Sequence, residues 1–144
     1  MIMALYRLAD ALRGRRRKRT DSPEISTGKL GEDIAQRYLQ QHGLTVVARN
    51  WRPRSSSGEL DLIAWAGETL VFVEVKTRGT DEFGTPDRAV DREKQEHLWR
   101  AAREYARRAG VEPGRVRFDI VSVTLTPLPS VQWIRDAFRM GQTL

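Results

Sequence analysis

Two short segments carry charged residues at alternate positions. They are Gly58-Glu59-Leu60-Asp61-Leu62-Ile63-Ala64 and Val71-Phe72-Val73-Glu74-Val75-Lys76. Strand side chains alternate between faces. As strands, the first segment places Glu59, Asp61 and Ile63 on one face, and the second places Phe72, Glu74 and Lys76 on one face. Leu60, Leu62 and Ala64, with Val71, Val73 and Val75, make the opposite, core faces. If Gly67-Glu68 is a two-residue loop, Ala66 pairs with Thr69, Asp61 falls opposite Glu74, and Glu59 falls opposite Lys76. Directly opposed Cβ atoms lie about 4.5–5.5 Å apart, and like charges there destabilise a sheet. The pair therefore calls for a cation, either Lys76 or a divalent metal.

That combination is what phosphodiester hydrolysis requires. Two carboxylates hold Mg²⁺ (or Mn²⁺) while leaving it several waters. The metal polarises a phosphoryl oxygen and lowers the pKa of a bound water. A lysine two residues from a ligand, on the same face, orients that water or stabilises transition-state charge. Asp61, Glu74 and Lys76 are thus the candidate catalytic residues. The competing reading is a solvated charged face with Glu59–Lys76 and Glu74–Lys76 ion pairs. Glu-x-Lys alone is a weak signal, and the paired Asp61 strengthens it.

The elements that must position these residues are legible around them. Ser26 or Thr27 caps a helix with the stripe Leu30, Ile34, Tyr38 and Leu39, ended at Gly43. A strand over 44–49 follows, then a loop over 52–58 marked by Pro53, three serines and Gly58. The strands 59–65 and 69–77 form the hairpin. A loop over 79–86 leads to a helix from Ala89 or Asp91 to Arg108, stopped by Gly110, with Leu98, Ala102, Tyr105 and Ala109 on one face. A strand over 115–125 is bounded by Pro127 and Pro129, and 131–134 reads as a short last strand. The order α-β-β-β-α-β gives an α/β domain with a central mixed sheet of four to five strands flanked by helices.

Composition narrows the chemistry. The chain has 144 residues, no cysteine and two histidines. Thiolate chemistry is excluded, and His42 and His97 have no motif partner, so a metal here is hard and oxygen-ligated. No apolar run reaches the roughly 18–20 residues of a membrane span. The net charge of +6 is uneven: residues 1–24 hold seven Lys/Arg against three Asp/Glu. Residues 1–25 read as a mobile basic tail and 26–144 as the folded domain. The tail's charge follows a short apolar stretch, opposite to a signal peptide, and its basic run is suited to phosphates. A cytoplasmic protein with no stable membrane insertion is expected.

The chain resembles the restriction-endonuclease-like, PD-(D/E)xK nuclease fold in its Asp…Glu-x-Lys hairpin after a helix that carries a glutamate. It is most similar to the YraN-like family of bacterial proteins with that fold. The matching stretches are Gly28-Lys29-Leu30-Gly31-Glu32-Asp33-Ile34-Ala35, Ala48-Arg49-Asn50-Trp51-Arg52, the two strand segments above with Thr77-Arg78, Phe83-Gly84-Thr85-Pro86 with Ala89-Val90, and Arg117-Phe118-Asp119. The resemblance implies a Mg²⁺-type site (or Mn²⁺) and nucleic acid as substrate, and the leading expectation is a metal-dependent endonuclease acting on DNA more than RNA, with branched or damaged DNA among the candidate substrates. It implies a metal set of Asp61, Glu74 and Glu32. It also makes Lys94 and Gln95 the helix residues that approach the site. Arg52, Arg54 and Arg78 flank the hairpin as candidate phosphate contacts. Two departures stand out: Leu60 rather than proline precedes Asp61, and the 52–58 loop is slightly long. The alternative is a non-catalytic nucleic-acid-binding or assembly module that keeps the fold. The oligomeric state is open, a homodimer included. Asp119 reads as structural, and Trp51, Trp65, Trp99 and Trp133 as packing residues.

Overall fold

The computed structural model describes residues 23–55, 58–80 and 91–139. The basic tail, most of the 79–86 loop and the Ala89-Val90 start of the second helix lie outside the described residues. The elements are α1 (Pro23–Gln41), β1 (Thr45–Trp51), β2 (Leu60–Ala66), β3 (Thr69–Thr80), α2 (Arg92–Ala109), a 3-10 turn (Pro113–Arg115), β4 (Val116–Thr126) and β5 (Ser130–Phe138). The helix α1 starts at Pro23, three residues before the expected Ser26 cap. Proline suits a first helical turn, where its missing N–H has no partner to lose.

The strands lie in chain order, β1-β2-β3-β4-β5. The β3/β4 pair is parallel and the others are antiparallel. This is the expected mixed α/β sheet flanked by helices, an arrangement compatible with a restriction-endonuclease-like fold. A parallel pair needs a crossover connection, and α2 supplies it. Asp91 accepts a bond from the Lys94 backbone N–H at 2.8 Å and caps the start of α2. Gly110, at φ 70°, closes its end in the left-handed conformation.

Both sheet faces are covered. Leu62, Ala64, Val71, Val73, Val121 and Val123 pack with Ala35 and Leu39 of α1. Ile63, Phe72, Phe118 and Ile120 pack with Leu98, Ala101 and Ala102 of α2. The face of Ile63 and Phe72 is therefore core, not the outward face expected from alternation, because the crossover helix lies on it. The expected core residue Leu60 also belongs to the α2 side, apart from Leu62 and Ala64. Asn50 has φ 49°, and this left-handed residue turns Trp51 to the α2 side while Arg49 faces α1. Trp51 packs edge-on to Tyr105, ring centroids 5.2 Å apart.

Candidate metal centre

The β2/β3 hairpin closes as expected, Ala66 opposite Thr69, and its ladder runs to Leu62 opposite Val73. It ends there. Beyond this point β2 continues along β1, with Leu60 opposite Trp51. Meanwhile β3 continues along β4, with Glu74 level with Ile120 and Lys76 level with Ser122. The two central strands fork at Asp61 and Glu74. The backbone N–H of Val75, left without a β2 carbonyl, donates to Asp61 Oδ2 at 2.8 Å. Asp61 thus completes the sheet with its side chain and fixes its own carboxylate in the fork.

The fork opens into a cavity of about 620 Å³ lined by Glu32, Asp61, Glu74, Thr77 and Lys94 among others. Glu32 reaches it from α1 and Lys94 from α2, so both helical layers meet here where β2 and β3 part. Glu74 is buried, with 7% of its surface exposed. Lys94 Nζ stands 2.5 Å from Glu74 Oε1. Among the described residues, Glu32, Glu59 and Asp61 also converge, with one carboxylate oxygen from each lying within 4.8 Å of the others.

Burial pushes the Asp61 carboxyl up to about 8, and the neighbouring Glu74 and Glu32 carboxylates push the same way, against the Val75 N–H. Burial alone would lower Lys94. The bond to Glu74 and the charges of Glu74, Asp61 and Asp91 outweigh it, so its pKa is raised and the ammonium stays charged. The site is a set of hard oxygen donors whose mutual repulsion a divalent cation would relieve, and in that respect the residues fit Mg²⁺ or Mn²⁺. Asp61, Glu74, Glu32 and Glu59 would supply the ligands.

The remaining sequence candidates fall in several places. Lys76 is half-buried on β3 and is not among the residues lining the cavity; the cation at Glu74 is Lys94. The expected Glu59–Lys76 opposition does not form, because the ladder ends before it, and Glu59 pairs with Arg52 at 3.0 Å. Gln95 is half-buried beside Lys94 on the first turn of α2. Arg54 is exposed and Arg78 half-buried, the latter with its Nε enclosed and without a hydrogen-bond partner among the described residues. Asp119 is fully buried. It accepts from Arg117 at 2.8 and 2.9 Å, from Trp133 Nε1 at 2.8 Å and from the Asp136 N–H at 2.9 Å. That is the structural role expected of it. His97 is half-buried and lines a smaller hollow with Gly58, Glu59 and Lys94.

Three residues escaped the sequence reading. Arg49 of β1 holds Asp33 at 2.5 Å and Glu32 at 3.1 Å. Its signal was a lone arginine on a strand face that must meet α1. Glu59 had been read only as a lysine partner. Glu104 lies next to Tyr105 on the apolar face of α2 and accepts from the Arg54 N–H at 2.9 Å, the Ser55 N–H at 3.2 Å and Ser55 Oγ at 2.6 Å. A glutamate beside Ala101, Ala102 and Tyr105 was its signal.

Comparison with known proteins bears on the whole chain. The model of the uncharacterised protein family UPF0102 matches residues 31–123. The chain belongs to the UPF0102 family. A UPF0102 protein of Solibacter usitatus is 54% identical over 138 residues, covering 96% of this chain and 100% of that protein. A UPF0102 protein of Koribacter versatilis is 44% identical, covering 84% of this chain and 85% of its own length. One from Rhodococcus jostii is 46% identical over 79% of this chain and 97% of its own. The expected YraN-like membership is thereby established. The UPF0102 match spans Glu32, Asp61, Glu74, Lys76 and Lys94, and so includes the fork, α2 and the part of α1 from residue 31.

Proposed function

We propose that this UPF0102 protein is a metal-dependent endonuclease that hydrolyses phosphodiester bonds in DNA, with branched or damaged DNA among its substrates. The observation that carries the reading is the fork between β2 and β3, where Asp61 and Glu74 meet with Glu32 and the charged Lys94. Such a set needs a hard cation and can present it to phosphate. When bound, Mg²⁺ or Mn²⁺ supplies Lewis acidity and an activated water. The chain's own residues do the rest. Asp61 is held by the Val75 N–H, so its carboxylate is preoriented. Lys94 stands at the cavity edge with its charge secured, where it can contact phosphate oxygens. Lys76, two residues beyond Glu74, is the residue for steering water or stabilising transition-state charge, a role that requires its side chain to turn toward the fork. Arg54 and Arg78 offer further phosphate contacts.

The position of Lys76 outside the cavity favours one second reading, a nucleic-acid-binding module that keeps the nuclease fold without turnover. Single-turnover assays on linear, nicked and branched DNA with Mg²⁺ or Mn²⁺ separate the two. Cleavage by the wild type that is lost in Asp61→Ala and Glu74→Ala supports the enzyme. Binding without cleavage on every substrate supports the module.

A further inference from the structure

Among the described residues, three of the four carboxylates at the fork have a basic partner brought from elsewhere in the chain. Glu32 of α1 meets Arg49 of β1 at 3.1 Å. Glu59 meets Arg52 at 3.0 Å. Glu74 of β3 meets Lys94 of α2 at 2.5 Å. The fourth, Asp61, takes a backbone N–H and touches Glu74. Without a metal the fork is therefore neutralised from within, and a divalent cation must compete with these partners for the same oxygens.

At the buried carboxylate of the fork, Glu74, Lys94 is a partner placed to yield. Its side chain is 49% exposed against 7% for Glu74. Its backbone is fixed, since the Asp91 carboxylate caps its N–H at 2.8 Å, so only the flexible four-carbon stem needs to move. It lines both the fork cavity and the adjoining hollow of about 320 Å³ beside Gly58 and Glu59. A second position thus lies within reach of its ammonium.

We propose that Lys94 is an exchangeable counter-ion: it occupies Glu74 in the metal-free protein and becomes a phosphate contact when a divalent cation takes Glu74 over. Metal and DNA then bind with positive cooperativity, because the metal releases the ammonium that grips the phosphate. The effect is reciprocal, as any coupling between two ligands must be. This rests on the nuclease reading for the identity of the anion and goes beyond it in assigning Lys94 two partners.

A double-mutant cycle tests the exchange without turnover. Wild type, Glu74→Gln, Lys94→Gln and the double variant are titrated with a short fluorescein-labelled duplex DNA in chelator, and with Mn²⁺ alone by calorimetry. Glu74→Gln frees Lys94 without metal and should tighten DNA binding roughly tenfold, the size of about 1.4 kcal/mol. In the Lys94→Gln background the same substitution should give almost no gain. Lys94→Gln alone should bind Mn²⁺ more tightly, because the internal competitor is gone. Lys94→Met repeats the cycle with an apolar head. If the gain from Glu74→Gln persists in the Lys94 variants, general relief of repulsion explains it and the exchange is overturned. Unchanged Mn²⁺ affinity in both Lys94 variants overturns it too. DNA binding by no form, with or without Mn²⁺, would instead remove the nuclease reading and the inference together.

Discussion

Gly31 of α1 lies against Thr77 of β3 with no room for a methyl group: a Cβ at residue 31 would fall 1.8 Å from Thr77 Oγ1 and 2.8 Å from Thr77 Cβ. This contact brings α1 close enough for the next residue, Glu32, to reach the fork. Gly31→Ala gains about 1 kcal/mol of helix propensity. It must also push α1 from the sheet, an overpacking cost of about 1–3 kcal/mol, and the strand-borne Thr77 Cβ cannot rotate away. Urea unfolding should show net destabilisation, and Mn²⁺ calorimetry weaker binding through the displaced Glu32. Thr77→Ala removes two of the three clashing atoms and should rescue part of both.

The raised Asp61 pKa sets a pH dependence for metal binding. Below about 8 the carboxyl holds a proton in the metal-free protein, and a metal ligand must lose it. Mn²⁺ affinity should climb by about tenfold per pH unit up to that point and level off above it. The sign for folding is opposite. Because the folded pKa lies above the ordinary 3.8, Asp61 contributes stability that is full below 3.8 and is lost as pH rises through about 8. Asp61→Asn should flatten both curves, read by calorimetry and by thermal melts without metal.

Lys76→Ala should leave Mn²⁺ affinity intact or slightly raised, since the Glu74–Lys94 pair does not depend on it. Single-turnover cleavage should fall by roughly a hundredfold or more, as when one charge-stabilising donor is lost. Lys76→Arg should restore little, because a guanidinium does not reproduce a compact point charge. Cleavage at the wild-type rate by Lys76→Ala would remove this lysine from the chemistry.

Glu104 tethers the loop after β1 through its three hydrogen bonds to Arg54 and Ser55. The bond from Ser55, chiefly, and those from the Arg54 and Ser55 N–H groups hold its carboxyl below the ordinary 4.5. A depressed carboxyl pKa gives stability that is present above 4.5 and lost as pH falls through the folded value. Glu104→Gln should therefore lower the melting temperature at neutral pH and shrink the difference from wild type in acid. Limited proteolysis should cut the 52–58 segment faster.

Asp119→Ala tests a buried network away from the fork. Removing the carboxylate strands the Arg117 guanidinium, the Trp133 indole N–H and the Asp136 N–H together. Breaking a buried pair from one side costs about 3–5 kcal/mol. Denaturant unfolding should show a loss of that order, while any fraction that stays folded binds Mn²⁺ as the wild type does.

The sequence showed the hairpin register, the crossover helix and the convergence of Asp61 with Glu74, because these follow from strand alternation, a two-residue turn and helix periodicity. It did not show where the β2/β3 ladder ends. That depends on the twist that sends β2 along β1 and β3 along β4, a property of the whole sheet. Alternation also misplaced Ile63 and Phe72, since both faces of a sheet carrying a crossover helix are buried. The ion-pair partners were the least legible. Glu59 met Arg52 and Glu74 met Lys94, and only tertiary placement chooses among nearby cations. Asn50 gave no pattern by which its left-handed φ, and hence the reversal of Trp51, could be foreseen.

The strands stand side by side in the order of the chain, and this orders the events of synthesis. The hairpin that bears Asp61 and Glu74 is built from neighbouring residues and can form while α2 is still being made. Until the crossover helix docks, the acid pair lacks Lys94, and α2 arrives carrying both the apolar face that seals Phe72 and the ammonium that meets Glu74. Docking of the crossover helix is thus also the step that brings an ammonium to Glu74. A nascent chain stalled before residue 94 would carry Glu74 without the ammonium that the finished fold places against it.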